Sequence, residues 1–413
     1  MRITSPAHAV LPTVSSTVHL SYCTNIHPGE SWPEVLANLA RYLVPVRERV
    51  APGRTFGVGL RLSGEAARAL AAPQVLDELR AFLAAHDLYV FTINGFPYGP
   101  FHGRPVKEEV YLPDWLDPER LGYTDRLADI LAALVPEGVE GTISTVPGAF
   151  APRVHGDADE ERMAQAMIAH VAHLVRIRRD TGRRIALALE PEPCCFLETI
   201  DEAVAFFERR LFCGNGVRAL EKMAGLARGE AEEMMHEHLG VCLDACHLAV
   251  QFEDPVEAVA LLAAKNVPIV KTQVSSALRV PSPGTPEGRE LLARFDEPKF
   301  LHQVRECVNA HVEGTDDLPE ALAGGLPGER EWRVHFHVPV NTAEHTTQDE
   351  LSATLAALAG GETPLTRHFE VETYTWSVMR DAPRDDDGLV AGLAGELEWT
   401  RDRLVALGAK VDE

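Results

Sequence analysis

Apolar and polar residues follow two alternating patterns along almost the whole chain. Short, mostly apolar runs predict buried strands, and between them apolar residues recur every three or four positions, as on one face of a helix. Seven strands are predicted at residues 18–22, 56–62, 88–94, 141–146, 185–190, 240–244 and 267–273. Two further strand candidates cover residues 332–338 and 369–374.

Strands that alternate with helices over a whole chain predict a parallel β/α architecture. Seven such units and one terminal strand match a closed (β/α)8 TIM barrel, and we expect a single domain spanning residues 1–413. The ninth candidate would then be an additional strand or a long loop at the C-terminal face of the barrel. An open, doubly wound sheet is the alternative. Residues 24–29, after the first strand, lack the glycine-rich phosphate loop of a Rossmann domain and therefore disfavour it.

Two long segments interrupt the alternation. Residues 94–121 are rich in Pro, Gly and aromatic side chains. Loops of this length in compact domains usually bind ligands or cover a site. Residues 281–328 are polar and have Pro and Gly at both ends, and a helix is predicted in their middle, around residues 299–311.

Composition and charge narrow the class of protein. The chain is 46% hydrophobic and 24% charged, and no apolar run approaches the roughly 20 residues of a membrane span. Residues 1–14 lack the apolar core of a secretory signal, so a cytoplasmic protein is expected. The net charge of −23 disfavours nucleic acid and suits a small-molecule metabolite. The seven cysteines are odd in number and predict buried free thiols rather than a disulfide framework.

The segment from Gly240 to His247 (GVCLDACH) carries the strongest chemical signal. It predicts a buried strand that ends in Asp244, with His247 three residues later. Because ligands bind at the carboxyl ends of strands in (β/α)8 barrels, both side chains would reach one point there. Asp and His together are suitable ligands for a divalent cation such as Mn, Mg or Zn.

Other predicted strands end in similar residue types. Glu190 closes the fifth strand, Gln273 the seventh, and Glu372 lies near the end of the last. Side chains two apart on a strand share a face, so His335 and His337 form a His-x-His pair. The predicted metal ligands are Glu190, Asp244, His247, Gln273, His335, His337 and Glu372.

Several other polar residues have two interpretations. Lys271 is either a Schiff-base lysine or a salt-bridged lysine inside the barrel. Glu370 shares a face with Glu372, and Glu192 shares one with Glu190, although the prolines beside Glu192 indicate that the strand has ended. His236 and His238 lie in a charged helical run and are predicted to be exposed to solvent.

This order of strand ends resembles the xylose-isomerase-like TIM-barrel superfamily, which includes sugar isomerases, epimerases and the endonuclease IV type. The resemblance implies Glu on the fifth strand, Asp-x-x-His on the sixth, His on the seventh and Glu on the eighth. Gln273 departs from that pattern. Residues 22–32 (YCTNIHPGESW) and 92–103 (TINGFPYGPFHG) also resemble the bacterial EboE family of metabolite traffic proteins.

The superfamily resemblance implies a metal-dependent isomerase or epimerase that acts on a sugar-like or hydroxy-carbonyl metabolite. Glu190 and Glu372 would exchange a proton with the substrate as paired base and acid, and His247 would steady a substrate oxygen. A second metal on the His-x-His pair would instead favour phosphoester hydrolysis. A metabolite carrier, a protein in a pathway complex and a homo-oligomer also remain open. The predicted substrate-binding residues are Asn25, His27, Asn94, His102, Lys271 and Trp376.

Overall fold

A computed structural model describes residues 17–95, 107–379, 383 and 385–412. The strands are β1 Thr17–Tyr22, β2 Phe56–Arg61, β3 Leu88–Asn94, β4 Gly141–Thr145, β5 Ile185–Leu189, β6 Leu239–Asp244, β7 Ile269–Val274, β8 Ala277–Val280, β9 Val304–Val308, β10 His311–Thr315, β11 Trp332–His337, β12 His368–Val371 and β13 Lys410–Asp412.

The α-helices alternate with the barrel strands for most of the chain. They are α1 Trp32–Asn38, α2 Val44–Val50, α3 Gly64–Leu70, α4 Pro73–Ala85, α5 Pro118–Leu134, α6 Asp157–Thr181, α7 Ile200–Phe206, α8 Gly214–Ala224, α9 Arg228–His238, α10 Ala245–Val250, α11 Pro255–Ala264, α12 Pro286–Leu292, α13 Leu318–Glu320, α14 Gln348–Ala359 and α15 Asp386–Ala406. Short 3-10 helices cover Thr24–Ile26, Lys107–Tyr111, Ala151–Arg153 and Tyr374–Ser377, and π-helical turns cover Leu39–Leu43, Phe207–Leu211 and Ala321–Gly325.

Eight parallel strands form the predicted (β/α)8 barrel. Strands β1 to β7 and β12 pair in the order β1-β12-β7-β6-β5-β4-β3-β2. A parallel bridge between Cys23 and Gly59 joins the two ends of this order, just beyond β1 and within β2. Strand β13 pairs with the start of β1 on the side opposite β12. The carboxyl ends of the eight strands therefore meet at one face, where the predicted ligands lie.

A second, antiparallel sheet follows β7. Its strand order is β10-β9-β11-β8, and its core is a separate cluster that includes Trp332 and Phe336. Strand β11 is one of the two further strand candidates and lies in this sheet, so the prediction of an additional strand beside the barrel is confirmed. Within β11, His335 and His337 are both buried.

The helix predicted around residues 299–311 is wrong. Residues 304–311 of that segment belong to a hairpin formed by β9 and β10, with His311 paired to Val308. The turn residues Asn309 and Ala310 have φ values of 51° and 63°. Positive φ at both central residues is the geometry of the type I′ turn, whose twist matches that of a two-residue hairpin. The tertiary pairing of β9 with β11 then completes a sheet that helical periodicity does not reveal.

The barrel helices pack their apolar faces against the outside of the strands. One continuous core joins residues from β1 to α15, including Val18, Leu187 and Leu404. The predicted exposure of His238 is wrong, because its side chain is fully buried and Nδ1 donates to the Ile185 carbonyl at 2.6 Å. None of the helices in the described part of the chain combines the length and apolar character needed to cross a membrane.

Candidate metal and substrate site

Three buried carboxylates converge at the C-terminal face of the barrel. Glu190 follows β5, Asp244 ends β6 and Glu372 follows β12, and one carboxylate oxygen from each lies within 4.8 Å of the other two. They are 3%, 2% and 6% exposed. Among the described residues, Glu190 Oε2 and Asp244 Oδ2 have no hydrogen-bond partner. Buried charges that lack partners are costly, so this cluster has the character of a cation site.

Local structure fixes the direction in which Asp244 points. Its Oδ1 atom accepts hydrogen bonds from the His247 amide at 2.9 Å and from the Ser275 hydroxyl at 2.8 Å. The first of these bonds caps the N-terminus of α10, since the β6 strand passes directly into that helix. Oδ2 is thereby left facing the cluster.

Gln273 lies beside Asp244 in the sheet. The two residues are Cα partners in the pairing of β6 with β7, and the Gln273 side chain is fully buried. Neither atom of its amide group has a hydrogen-bond partner among the described residues. A buried amide without a partner costs on the order of 1–3 kcal/mol, so its oxygen is available to a ligand.

Three imidazoles adjoin the carboxylates. Nδ1 of His247 faces the Pro191 carbonyl at 2.9 Å, and Nδ1 of His337 faces the Glu372 carbonyl at 2.7 Å. Nδ1 of His335 faces Gln303 Oε1 at 2.7 Å, while Gln303 Nε2 donates to the Pro193 carbonyl. Because carbonyl oxygens only accept, all three Nδ1 atoms carry protons.

The other nitrogen of each ring is then an electron-pair donor in the neutral imidazole. The Nε2 atoms of His247 and His335 are 3.1 Å apart, and Nε2 of His337 lies 4.0 Å from Asp244 Oδ2 without a hydrogen-bond partner. Two lone pairs repel each other at 3.1 Å and form no hydrogen bond. A proton or a metal cation between the two nitrogen atoms would make the contact favourable.

Burial and mutual repulsion shift the pKa values of these groups. Burial, and then the charges of Glu372 and Asp244, raise the pKa of Glu190 well above its ordinary value. Burial and the charge of Asp244 do the same to the pKa of Glu372. Burial lowers the pKa of His337 to about 4, and burial also lowers the pKa of His335 well below its ordinary value. His335 and His337 therefore favour the neutral form, which is the form that binds metals.

Two of the predicted substrate-binding residues hold Glu372 in place. Asn25, in the 3-10 helix after β1, donates to Glu372 Oε1 at 2.7 Å, and Asn94, at the end of β3, donates to the same oxygen at 3.0 Å. Both side chains are buried. They position the carboxylate, and Asn25 also lines the adjoining cavity.

A cavity that is open to solvent adjoins the cluster, and its empty space, counted together with the solvent at its mouth, is about 590 Å³. Glu190, Glu192, His247 and other members of the cluster form the polar part of its lining, and the rest is largely apolar. The described residues that line it are Asn25, Lys107, Val110, Tyr111, Glu190, Glu192, His247, Phe300, Leu301, His335, His337, Glu372 and Tyr374.

Three other predicted substrate-binding residues, His27, Lys271 and Trp376, are not among the described residues that line this cavity. His27 stacks on Tyr42 with ring centroids 4.4 Å apart, and Trp376 donates to Glu396 at 2.8 Å. Lys271 lies inside the barrel, where its ammonium group contacts Glu370 at 2.6 Å with both side chains fully buried. Burial lowers the pKa of Lys271, but the charge of Glu370 outweighs it and the pKa is raised, which disfavours a Schiff-base role. His102 lies outside the described residues.

Two residues beside the imidazoles are not among the predicted metal ligands. Glu192 contributes an oxygen that lies within 4.8 Å of ring nitrogens of His247 and His335, and it accepts a hydrogen bond from the Tyr111 hydroxyl at 2.9 Å. Its spacing from Glu190 placed it on the same face in the sequence analysis, which left its role open. Gln303, which orients His335, stands in the segment predicted as a helix, so its position could not be inferred.

Comparisons with known proteins identify no family. A scan against protein-family models gives no match, and a search of curated proteins gives none. Solved structures that resemble the chain include the IOLI protein with a bound zinc atom, at 13% identity and a TM-score of 0.48, covering 94% of this chain and 99% of that one. A D-tagatose 3-epimerase-like protein has 11% identity and a TM-score of 0.47, covering 94% and 98%.

A third solved structure is the 3-keto-D-glucoside 4-epimerase YcjR from E. coli. It has 12% identity and a TM-score of 0.42, covering 94% of this chain and 100% of that one. Similarities this weak carry no inference about activity. The fold and the site follow instead from the strand pairing and contacts of the chain itself, which define a (β/α)8 barrel with a carboxylate and imidazole cluster at its C-terminal face.

Proposed function

We propose that this protein is a divalent-metal-dependent isomerase or epimerase acting on a hydroxy-carbonyl metabolite. The observation that carries the proposal is the set of three buried carboxylates within 4.8 Å of one another, two of which have an unpartnered oxygen. Glu190, Asp244 and Glu372 would hold the cation, with Gln273 beside them. Oxygen ligands suit Mn or Mg, and the neighbouring imidazoles would also suit Zn.

When bound, the cation would polarise the substrate carbonyl and acidify the adjacent C–H bond. Glu190 and Glu372 come from β5 and β12, with β6 and β7 between them. One carboxylate would remove the proton from that carbon, and its partner, initially protonated, would return a proton to the opposite face. The two acids would thereby exchange protonation states. His247 Nε2 would accept a hydrogen bond from a substrate hydroxyl and so steady it.

Metal analysis of the purified protein tests the site. We expect about one equivalent of divalent metal in the wild type and its loss in an Asp244→Asn/His247→Gln variant. The matched control is Asp129→Asn/His173→Gln, since His173 contacts Asp129 at 2.7 Å between α5 and α6 and neither residue lines the cavity. No metal in the wild type after reconstitution with Mn, Mg and Zn would refute the site and leave a metabolite carrier.

Proton exchange tests the reaction class. Hydroxy-carbonyl compounds incubated with the metal-loaded enzyme in D2O should gain deuterium at the carbon beside the carbonyl, which NMR detects. Glu190→Gln should abolish the exchange, because an amide cannot remove a proton. Metal-loaded protein that exchanges no proton with a broad set of such compounds would contradict an isomerase or epimerase.

One specific observation favours a second candidate, a metal-dependent phosphoesterase or other hydrolase. The contact of 3.1 Å between the Nε2 atoms of His247 and His335, with Glu192 close to both, would accommodate a second cation. Two cations in one site commonly activate water for hydrolysis. Two metal equivalents together with cleavage of bis(p-nitrophenyl) phosphate would favour this candidate over the first.

The biological setting of the reaction is a further part of the proposal. Residues 22–32 and 92–103 resemble the EboE family, and this resemblance supports a substrate from a bacterial metabolite synthesis or traffic pathway. Residues 96–103 lie outside the described part of the chain, whereas Asn25 and Asn94, one from each of these two segments, both donate a hydrogen bond to Glu372.

A further inference from the structure

Part of the cavity lining is an apolar wall, defined here as Val110, Phe300, Leu301 and Tyr374. Phe300 forms a small hydrophobic cluster with Val110 and Tyr374, separate from the barrel core. The ring centroids of Phe300 and Tyr374 are 5.2 Å apart, and Tyr374 lies 4.8 Å from the ring of His337. The wall therefore begins directly beside the proposed ligands.

Three separate chain segments build this wall. Val110 lies in the 3-10 helix before α5, Phe300 and Leu301 precede β9, and Tyr374 follows β12. Two polar contacts outside the apolar wall fix the backbone of Phe300. Its amide donates to Glu297 Oε1 at 2.9 Å, and its carbonyl accepts from Lys107 Nζ at 2.9 Å. These contacts hold the backbone from which the ring extends to the wall.

The described lining residues offer little to an anion. Lys107 is the only Lys or Arg among them, and its ammonium group contacts Asp317 Oδ2 at 2.5 Å. The hydroxyl of Tyr111 is engaged with Glu192. The other charged groups among these residues are carboxylates. A bound divalent cation would offset their charge only in part, so they would still repel phosphate and carboxylate groups on a substrate.

We infer that the substrate is an uncharged hydroxy-carbonyl compound with a ring-sized apolar substituent, and that this substituent packs on the apolar wall. The inference rests on the proposed function, since the hydroxy-carbonyl end faces Glu190, Asp244 and Glu372. A free sugar would instead place hydroxyl groups against aliphatic and aromatic carbon, where each loses its hydrogen bonds to water. A sugar phosphate would add the negative charge of its phosphate group to a cavity that is already acidic.

Two small ligands that differ in one substituent test the inference. Hydroxyacetone and 2-hydroxyacetophenone share the hydroxy-carbonyl group, but the first carries a methyl group where the second carries a phenyl ring. Calorimetric titration of the metal-loaded protein should show at least tenfold tighter binding of 2-hydroxyacetophenone, because the wall buries the ring. Dihydroxyacetone phosphate should bind more weakly than hydroxyacetone.

Variants of the apolar wall show whether the tighter binding of 2-hydroxyacetophenone comes from the wall or only from the greater hydrophobicity of that ligand. Phe300→Ala should reduce the ratio of the two affinities to below threefold while metal content stays at the wild-type value. Leu301→Ser, at a partly exposed position of the wall, should also reduce the ratio and serves if Phe300→Ala does not fold. Phe82→Ala removes a partly buried ring from α4, away from the cavity, and should leave the ratio unchanged.

The outcomes distinguish this inference from the proposed function. Three results would overturn the inference that the substrate has an apolar substituent. They are equal affinities for the two ligands, tighter binding of the phosphate, and no binding of either ligand to metal-loaded protein. Metal content and proton exchange are measured separately, so the isomerase proposal would survive that result. A wall variant that retains the full tenfold ratio would also overturn the inference.

Discussion

The buried ion pair between Lys271 and Glu370 allows a quantitative prediction about stability. Lys271 Nζ lies 2.6 Å from Glu370 Oε2, and both side chains are fully buried inside the barrel. Lys271 also donates to the Ser144 hydroxyl at 3.2 Å. Space around the pair is tight, since a Cβ atom at Gly59 would lie 1.9 Å from Glu370 Oε1. Neither charge can reach water if its partner is removed.

The expected cost of removing one partner follows from that burial. Lys271→Met leaves an unpaired carboxylate inside the barrel, and Glu370→Leu leaves an unpaired ammonium group. Each change should destabilise the protein by about 3–5 kcal/mol. At an unfolding entropy of about 2.1 cal/mol/K per residue, a chain of 413 residues loses roughly 3–6 °C from its midpoint. The double variant Lys271→Met/Glu370→Leu should recover most of this loss, because it leaves no buried charge.

Thermal unfolding of the four proteins in metal-free buffer measures the coupling between the two residues. The control is Arg228→Met, which breaks an ion pair of 3.0 Å with Glu232 on the surface of α9 and should cost less than about 1 kcal/mol. If each single barrel variant also loses less than 1 kcal/mol, water or a relaxed backbone solvates the remaining charge. If the double variant is as unstable as both single variants combined, the pair is not the source of the loss.

Two further predictions concern pH and metal. The folded protein keeps His238 neutral, because burial lowers its pKa to about 4 from 6.5. The unfolded state therefore binds the extra proton first, and about 3 kcal/mol of stability present above pH 6.5 should be lost as the pH falls to 4. His238→Asn should flatten this dependence in urea titrations, and an unchanged slope would contradict it. Glu372→Gln keeps the hydrogen bonds from the two Asn side chains but removes a charge, so it should weaken metal binding. At a metal concentration of 100 Kd for the wild type, a hundredfold weaker Kd cuts the stabilisation from about 2.7 to about 0.4 kcal/mol. Calorimetric unfolding with and without metal checks this, and unaltered metal affinity would remove Glu372 from the site.

The barrel was predictable because each of its strands carries a local signal. Segments such as 185–190 and 240–244 are short and apolar, lie between helical segments and match β5 and β6 within one residue at each end. The hairpin of β9 and β10 was not predictable in the same way. Its strands are polar and depend on pairing with β11, and residues 310–315 are largely exposed. Stability that comes from tertiary pairing leaves a weak pattern in the sequence.

The site was predictable where a residue ends a barrel strand. Glu190, Asp244 and Glu372 converge for that reason, since parallel strands deliver their carboxyl ends to one face. His27 and Trp376 illustrate the limit of this reasoning. Both follow barrel strands, but the His27 ring stacks on Tyr42 and the Trp376 ring donates a hydrogen bond to Glu396. No local pattern in the sequence predicts such contacts. The orientation of a loop side chain depends on neighbours that are distant in sequence.

The added sheet changes the chemistry that the barrel alone would offer. Strand β7 presents an uncharged amide at Gln273, so the barrel strands themselves supply mainly oxygen ligands. Strand β11 brings His335 and His337 to the same place, and the hydrogen bond that His335 donates to Gln303 ties this strand to the loop before β9. Oxygen ligands favour Mn or Mg, whereas imidazoles favour Zn. Under the proposed function, the choice of metal would therefore depend on how firmly the added sheet packs on the barrel. Phe300 and Leu301 of the apolar wall lie in that same loop, so substrate binding would be coupled to the choice of metal.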